Sequence, residues 1–452
     1  MKDVSDRVCA LEWRYGSSEM RRLFTQENIV KTMARVEEAI LEGLVEAGIA
    51  PRRALEELRR AKPPSPEEVY EEEKRIGHDV ASLVFLLGRR AGGEASRWIH
   101  YGATSNDVVD TAWALILREA LSILKSKLSR IISILSDYAE KHSSTIMVGR
   151  THGQHALPIT LGFKLANYVY ELSRSYERIC CLEKRLLRAK IAGAVGTMAA
   201  WGDKGLIVRD VASRSLGLEP HVITTQVAPR DGFAELVSAL AIMASQLERL
   251  ALEVRELARP EIGEVWEDRG GRIGSSAMPQ KANPVTAERI AGLSRLLRGL
   301  VSSAIENIVL WHERDLSNSS YERIMIPHAI LVADQVLEDA ISLLSRLRLD
   351  EERMRRNLEL TRGAVMAEAL LGLLVKAGMS REEAYRLVKE LTSRMAKTGR
   401  SLLEEALSDP RITRLVSRKE LEEGLDPSNY LGQAERLVSD AVEYSRRVLS
   451  SC

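Results

Sequence analysis

The chain has 452 residues, room for about three domains of ordinary size or one large elongated one. Its 65 Lys and Arg offset 64 Asp and Glu, a net charge of +1, which argues against a protein that coats nucleic acid or anionic lipid with a basic surface. An apolar share of 45% with 29% charged residues excludes a disordered chain, and 13 Pro, 4 Phe and 11 Tyr are few for a strand-and-turn protein, so helix is favoured.

The four cysteines, Cys9, Cys180, Cys181 and Cys452, fit neither a zinc-ligand spacing nor a disulfide scaffold. The vicinal pair Cys180–Cys181 lies in a helical pattern and reads as reduced core sulfur of a cytoplasmic protein. No apolar run approaches the roughly 18 residues of a membrane span, and the N-terminal residues show no signal-peptide core.

In chain order, Ile29, Val30, Met33, Val36, Ile40 and Leu44 recur at three- and four-residue steps and predict a helix over 27–47. A Pro-rich segment at 62–68 leads into another, with Pro66 in its first turn. From Ser105 to His142 there is no Pro or Gly, and Asn106 or Asp107 can cap the long helix this predicts. Pro158 opens a second span, Asp231 to Arg259 is a third, Pro284 to Asp315 a fourth and Pro327 to about Arg348 a fifth. Helices of about 30 residues are about 45 Å long. Leu236, Val237, Leu240, Ile242, Met243, Leu247 and Leu250 place apolar groups on more than one face, so such a helix must be surrounded by others. The expectation is an all-α chain: an N-terminal helical domain at 1–104, an elongated five-helix bundle at 105–354 whose surplus apolar surface drives oligomerisation, and a domain of shorter helices at 355–452.

Chemistry then falls to the polar breaks: HYGATSND at 100–107, GRTHGQHALP at 149–158, DRGGRIGSSAMPQKANP at 268–284 and HERDLSNSSYER at 312–323. In the third, Gly270, Gly271 and Gly274 loosen the approach, Asn283 can cap and Pro284 suits a first helical turn. The free N–H groups of that helix start, with Lys281, suit a carboxylate or phosphate. A surface linker with a good cap reads at least as well from spacing alone. His152 and His155 have no third ligand at a recognisable spacing, so metal is disfavoured; structural and acid–base roles stand equal. His78 and His100 are ambiguous in the same way. Arg314, Ser317, Ser319, Ser320 and Arg323 supply the forks and hydroxyls of an anion clamp, or else a solvated helix end. P-loop, dinucleotide-binding, serine-elbow and H-E-x-x-H motifs are absent.

Taken in order, TSND, RTHGQHALP and GSSAMPQKANP resemble the fumarase/aspartase superfamily, whose members eliminate fumarate from succinyl compounds. Within it the chain is most similar to the adenylosuccinate lyase family, through WRYG at 13–16, HDV at 78–80, HYGATSNDVVDTA at 100–112, TTQ at 224–226, LWHERDLSNSSYERIMIP at 310–327 and DPSNYLG at 426–432. The resemblance covers essentially the whole chain. It implies an anti-elimination with Ser275 as base and His152 as acid, His78 assisting the acid, and Lys281 stabilising charge. It implies carboxylate contacts at Thr104, Ser105, Lys281 and Asn283, and phosphate contacts at Arg14, Tyr15, Ser319 and Arg323. Asp79, His100, Gln226, Ser276 and Arg314 complete the substrate positions. The resemblance also implies purine nucleotide substrates, a homotetramer with sites shared between subunits, and no metal or organic cofactor.

Gly77, Gln280 and Ala282 depart from residues frequent in that family, and Gln280 resembles argininosuccinate lyases instead. Argininosuccinate lyase and carboxymuconate cycloisomerase are the alternative enzymes, but neither needs a phosphate clamp. A catalytically silent structural relative is the alternative of another class.

Overall fold

The computed structural model describes residues 7–268, 270–271 and 275–451. Gly274 and Cys452, both singled out in the sequence, lie outside them. Helices take up 69% of the described residues. The expected long helices run Ser105–Lys141, Leu161–Leu186, Asp231–Leu257, Val285–Glu306 and Ser317–Ser345. The first, at 37 residues, is about 55 Å long.

Three two-stranded ladders correct the wholly helical expectation. Ile146–Thr151 pairs antiparallel with Gln154–Thr160, Arg188–Ala189 runs parallel to Glu219–Pro220, and Val265–Glu267 pairs antiparallel with Leu347–Leu349. The first spans the polar break at 149–158. Its β-branched Ile146, Val148, Ile159 and Thr160 favour extended backbone, and a two-residue turn, His152–Gly153, joins its strands with φ of 54° and 73°. Two positive φ values in a two-residue loop match the twist of a hairpin.

The last long helix also begins earlier than expected. Pro327 lies inside Ser317–Ser345 rather than at its start. A helical proline forfeits one backbone bond; one residue on, the His328 ring Nδ1 lies 2.7 Å from the Ile324 carbonyl and donates to it.

The chain divides into two compact units, Met1–Leu128 with Ser175–Leu247 and Ile290–Asp339, and Ser129–Arg174 with Glu248–Arg289 and Ala340–Cys452. In the first, Val36, Ile40, Leu41 and Leu44 of the helix Gln26–Glu46 form a core with Leu55, Leu83, Val108 and Val208. Gly43 is required there, because a Cβ would stand 2.5 Å from the Val208 carbonyl oxygen. In the second, Leu370, Leu374, Leu391, Leu402, Ile412 and Leu421 gather the C-terminal helices around Val148 of the hairpin. Several starts there are capping boxes, Ser380 with Glu383, Ser401 with Glu404 and Ser417 with Glu420, each satisfying two otherwise orphaned N–H groups.

Cys180 is disulfide-bonded while Cys181 is free and exposed, which corrects the reading of the pair as reduced core sulfur. Successive helical residues point about 100° apart, so the two sulfurs meet different surroundings. Among the described residues no helix is long and apolar enough to cross a membrane.

Candidate functional site

In the first unit, the start of the helix Ser105–Lys141 is organised by Asp107. Its carboxylate accepts the Thr104 N–H at 2.8 Å, as the third residue of a capping box does. The same carboxylate takes the Lys190 ammonium at 2.7 Å and the N–H groups of Ala192 and Gly193. Lys190 and Asp107 are both fully buried. A buried ion pair stands only where further hydrogen bonds satisfy it, and here they fix the chain on both sides of the Thr104–Ser105 loop. Asp107 thus braces the loop from within the helix, and Asn106 bonds Asp110 instead.

Three motifs distant in sequence meet beside that loop. The Ser105 hydroxyl lies 3.2 Å from Nε2 of His78. His78 caps the helix Asp79–Ala91 through Nδ1, which accepts the Ala81 N–H at 3.4 Å. Its neighbour Asp79 binds Arg323 at 2.6 Å. The structure therefore brings His78, Asp79, Ser105 and Arg323 together.

Arg314 donates to Gln226 and to Asn318, both at 3.2 Å, and burial lowers its guanidinium from the ordinary value. Beneath it, Arg230 is held between Asp110 and Glu322. Burial raises the Glu322 carboxyl despite the opposing pull of Arg230. This network of buried Asp110, Arg230, Asn318 and Glu322 was not anticipated. Part of its signal was available: Asp110 and Glu322 are charged residues inside the helices Ser105–Lys141 and Ser317–Ser345, yet both are buried.

Arg14 stacks over the rings of Trp13 and Tyr15. The same turn is tied by Gly16 N–H to Gln335 and by Ser17 N–H to Asp334. Those anchors lie roughly 18 Å along the helix axis from Arg323. Arg14 and Tyr15 thus attach to a different stretch of Ser317–Ser345 from Ser319 and Arg323. His100 bonds Glu37, 2.6 Å from its Nδ1.

In the second unit, His152 is exposed at the hairpin tip. The strand leading to it is fixed by Arg150, whose two terminal nitrogens grip Glu264. Opposite Arg150 sits His155, whose Nδ1 is buried without a partner among the described residues. Burial and then Arg150 lower its imidazole against the pull of Glu264.

The Ser275 hydroxyl oxygen accepts the Ala277 and Met278 N–H groups at 3.4 and 3.0 Å. Two amides on one oxygen favour negative charge there. Ser276 and Lys281 are exposed, and Asn283 is half-buried. Pro284 stands at the helix cap, its carbonyl receiving the Glu288 N–H at 3.0 Å. Among the described residues no three His, Cys, Asp or Glu side chains could hold a metal ion.

Residues 18–299 match the family model for lyases, and residues 363–441 the model for the adenylosuccinate lyase C-terminus. The chain is 43% identical to the adenylosuccinate lyase of Methanothermobacter thermautotrophicus, over 97% of this chain and 99% of that one. It is 40% identical to that of Methanocaldococcus jannaschii, over 96% of each. Among solved structures it is similar to fumarate lyase from Mesorhizobium sp. BNC1, with a TM-score of 0.88 and 30% identity, covering 95% of this chain and 98% of that one. The 3-carboxy-cis,cis-muconate lactonizing enzyme from Pseudomonas putida gives a TM-score of 0.87 and 32% identity, covering 96% and 98%.

Proposed function

The chain belongs to the adenylosuccinate lyase family, and we propose that it releases fumarate from adenylosuccinate, leaving AMP, and from succinylaminoimidazole carboxamide ribotide, leaving its carboxamide. The chemistry is one anti-elimination in both cases. Ser275, as alkoxide, takes the proton from the succinyl carbon beside a carboxylate. The electron pair forms the fumarate double bond, the carbon–nitrogen bond breaks, and His152 protonates the departing nitrogen. The amides of Ala277 and Met278 at the Ser275 oxygen support the base role. Lys281 meets the charge that builds on the carboxylate, and Arg323 with Ser319 takes the phosphate. The observation that supports the nucleotide reading is the joining of His78, Asp79, Ser105 and Arg323 from three motifs, since an Arg fork next to that loop suits a phosphate. No metal or organic cofactor takes part.

The active form is a homotetramer in the cytoplasm, its helical domains at 1–104, 105–354 and 355–452 contributing to shared sites. Exposed Val222, Ile223, Val309, Trp311 and Leu316 support assembly. The separation of Arg14 and Tyr15 from Arg323 along one helix supports a site completed by another subunit.

The test is fumarate release followed by ultraviolet absorbance, adenylosuccinate beside argininosuccinate, before and after exhaustive chelation. Turnover of adenylosuccinate is expected, unchanged by chelator. Faster turnover of argininosuccinate overturns the substrate, and fumarate from neither leaves a scaffold. Mixing Ser275→Ala with His152→Ala subunits under exchange should restore part of the activity; hybrids that exchange and stay inactive rule out shared sites.

A further inference from the structure

Glu37 has no place in the chemistry so far, yet it is the least expected residue in the first unit's core. It sits on the apolar stripe of Gln26–Glu46, in step with Met33, Ile40, Leu41 and Leu44, and is fully buried. An ionised carboxylate in such surroundings is costly unless paired. Its Oε2 has no partner among the described residues, and its Oε1 meets Nδ1 of His100 at 2.6 Å, a charge-assisted length.

His100 is held just as firmly from the other side. Its φ is 63°, a left-handed conformation that a non-glycine residue keeps only under constraint. The constraint is visible: Trp201 Nε1 donates to the Tyr101 carbonyl at 2.9 Å, and a Cβ at Gly102 would stand 2.3 Å from that nitrogen. The turn cannot relax without displacing Trp201. With Nδ1 committed to Glu37, Nε2 is the nitrogen left, and it makes no hydrogen bond among the described residues; the side chain is 23% exposed.

We infer that Glu37 is a positioning residue for the reaction: it holds His100 by Nδ1 so that Nε2–H, as part of an imidazolium, is offered to an anionic oxygen of the substrate. The electrostatics agree. Burial alone would lower the His100 imidazole, but Glu37, by charge and hydrogen bond, and Asp107 behind it raise it above the ordinary value. Asp107 comes from the helix Ser105–Lys141 and is itself paired with Lys190. A purely structural role explains less, because a buried pair stabilises a fold no better than apolar residues of similar volume. The inference rests on the proposed lyase reading, which supplies the anionic substrate.

Glu37→Gln tests it, keeping shape and acceptor while removing charge. KM for adenylosuccinate should rise mainly at high pH. The alkaline fall of kcat/KM should move down by about one pH unit or more, with kcat less affected and Glu37→Asp restoring part of the loss. An unchanged KM and pH profile overturns the role. Histidine 13Cε1 resonances of the intact wild-type protein, with His100 assigned by its loss in His100→Gln, give a second reading that needs neither a folded Glu37 variant nor turnover. His100 should titrate above the ordinary histidine range; titration at or below it overturns the inference. A wild-type protein that cleaves no adenylosuccinate while His100 still titrates high sinks the lyase reading and leaves the pairing standing.

Discussion

Glu264 receives both terminal nitrogens of Arg150, at 2.9 and 2.7 Å, and the amide of Asn357 at 2.8 Å, while fully buried. Parallel N–H bonds of this kind fix orientation as well as charge, and here they hold the strand that ends in the His152 turn. Removing one partner leaves an uncompensated buried charge. Arg150→Ala should therefore cost about 3–5 kcal/mol, read as a lower urea midpoint. The double change Arg150→Met with Glu264→Gln should cost less than Arg150→Ala alone. A single variant within about 0.5 kcal/mol of wild type would show that the pair does not anchor the hairpin.

Ser275→Ala and His152→Ala should both lower kcat steeply, since general acid–base groups contribute about 10²–10⁴-fold, while adenylosuccinate binding measured by calorimetry stays near normal. Ser275 also accepts two loop amides, so the competing account is that it only shapes its loop. On that account turnover survives the substitution whenever the loop still closes. Retained turnover would move suspicion to Ser276 or to a histidine.

The long helices were legible because their apolar spacing and lack of Pro and Gly are local properties. Ser105–Lys141 ends one residue short of the predicted bound. Pro327 misled because a proline predicts a helix start from local geometry, whereas the helix Ser317–Ser345 runs through it. The hairpin at 146–160 was hidden by its polar tip, although Gly153, the second residue of its two-residue turn, was a readable turn signal. Site residues were legible only as motif members. What the motifs lack is the buried charge that braces them: Glu37, Asp110, Lys190, Arg230 and Glu264 find their partners across long sequence separations. Pairing of that kind has no periodicity to read.

Arg323 is bound to Asp79 and remains 59% exposed, so its fork can exchange one anion for another. A phosphate is fully formed in both ground and transition states, and loss of its contact is a loss of uniform binding. Arg323→Ala should raise KM about tenfold to a hundredfold, the worth of one charged hydrogen bond, and change kcat little. Arg323→Lys should recover only part, because an ammonium cannot form the planar fork. A fall in kcat at constant KM would place Arg323 in the chemical step instead.

His221 should give the protein an acid-side weakness of its own. Its backbone N–H bonds the Ala189 carbonyl, and the residue lines a cavity with Asp110, Arg188 and Phe233. Burial lowers its imidazole to about 4; Arg188 and Arg230 push the same way, while Asp110 and Asp231 oppose. The native state therefore keeps His221 neutral at a pH where the unfolded chain, near 6.5, already binds a proton. Protonation favours unfolding, so this contribution is complete above about pH 6.5 and is lost as pH falls towards 4, on the order of 3 kcal/mol in all. His142 and His155 are also lowered by burial and act in the same direction. His100 is raised, so its share is present at low pH and lost on the alkaline side. The comparison that isolates His221 is therefore wild type against His221→Gln, followed by urea midpoint from pH 7 down to pH 5. Carboxylates held low, such as Glu72 at about 2, begin to matter only below that window. The wild type should lose stability across it more steeply than the variant. Parallel slopes would mean that His221 takes up its proton without unfolding the chain.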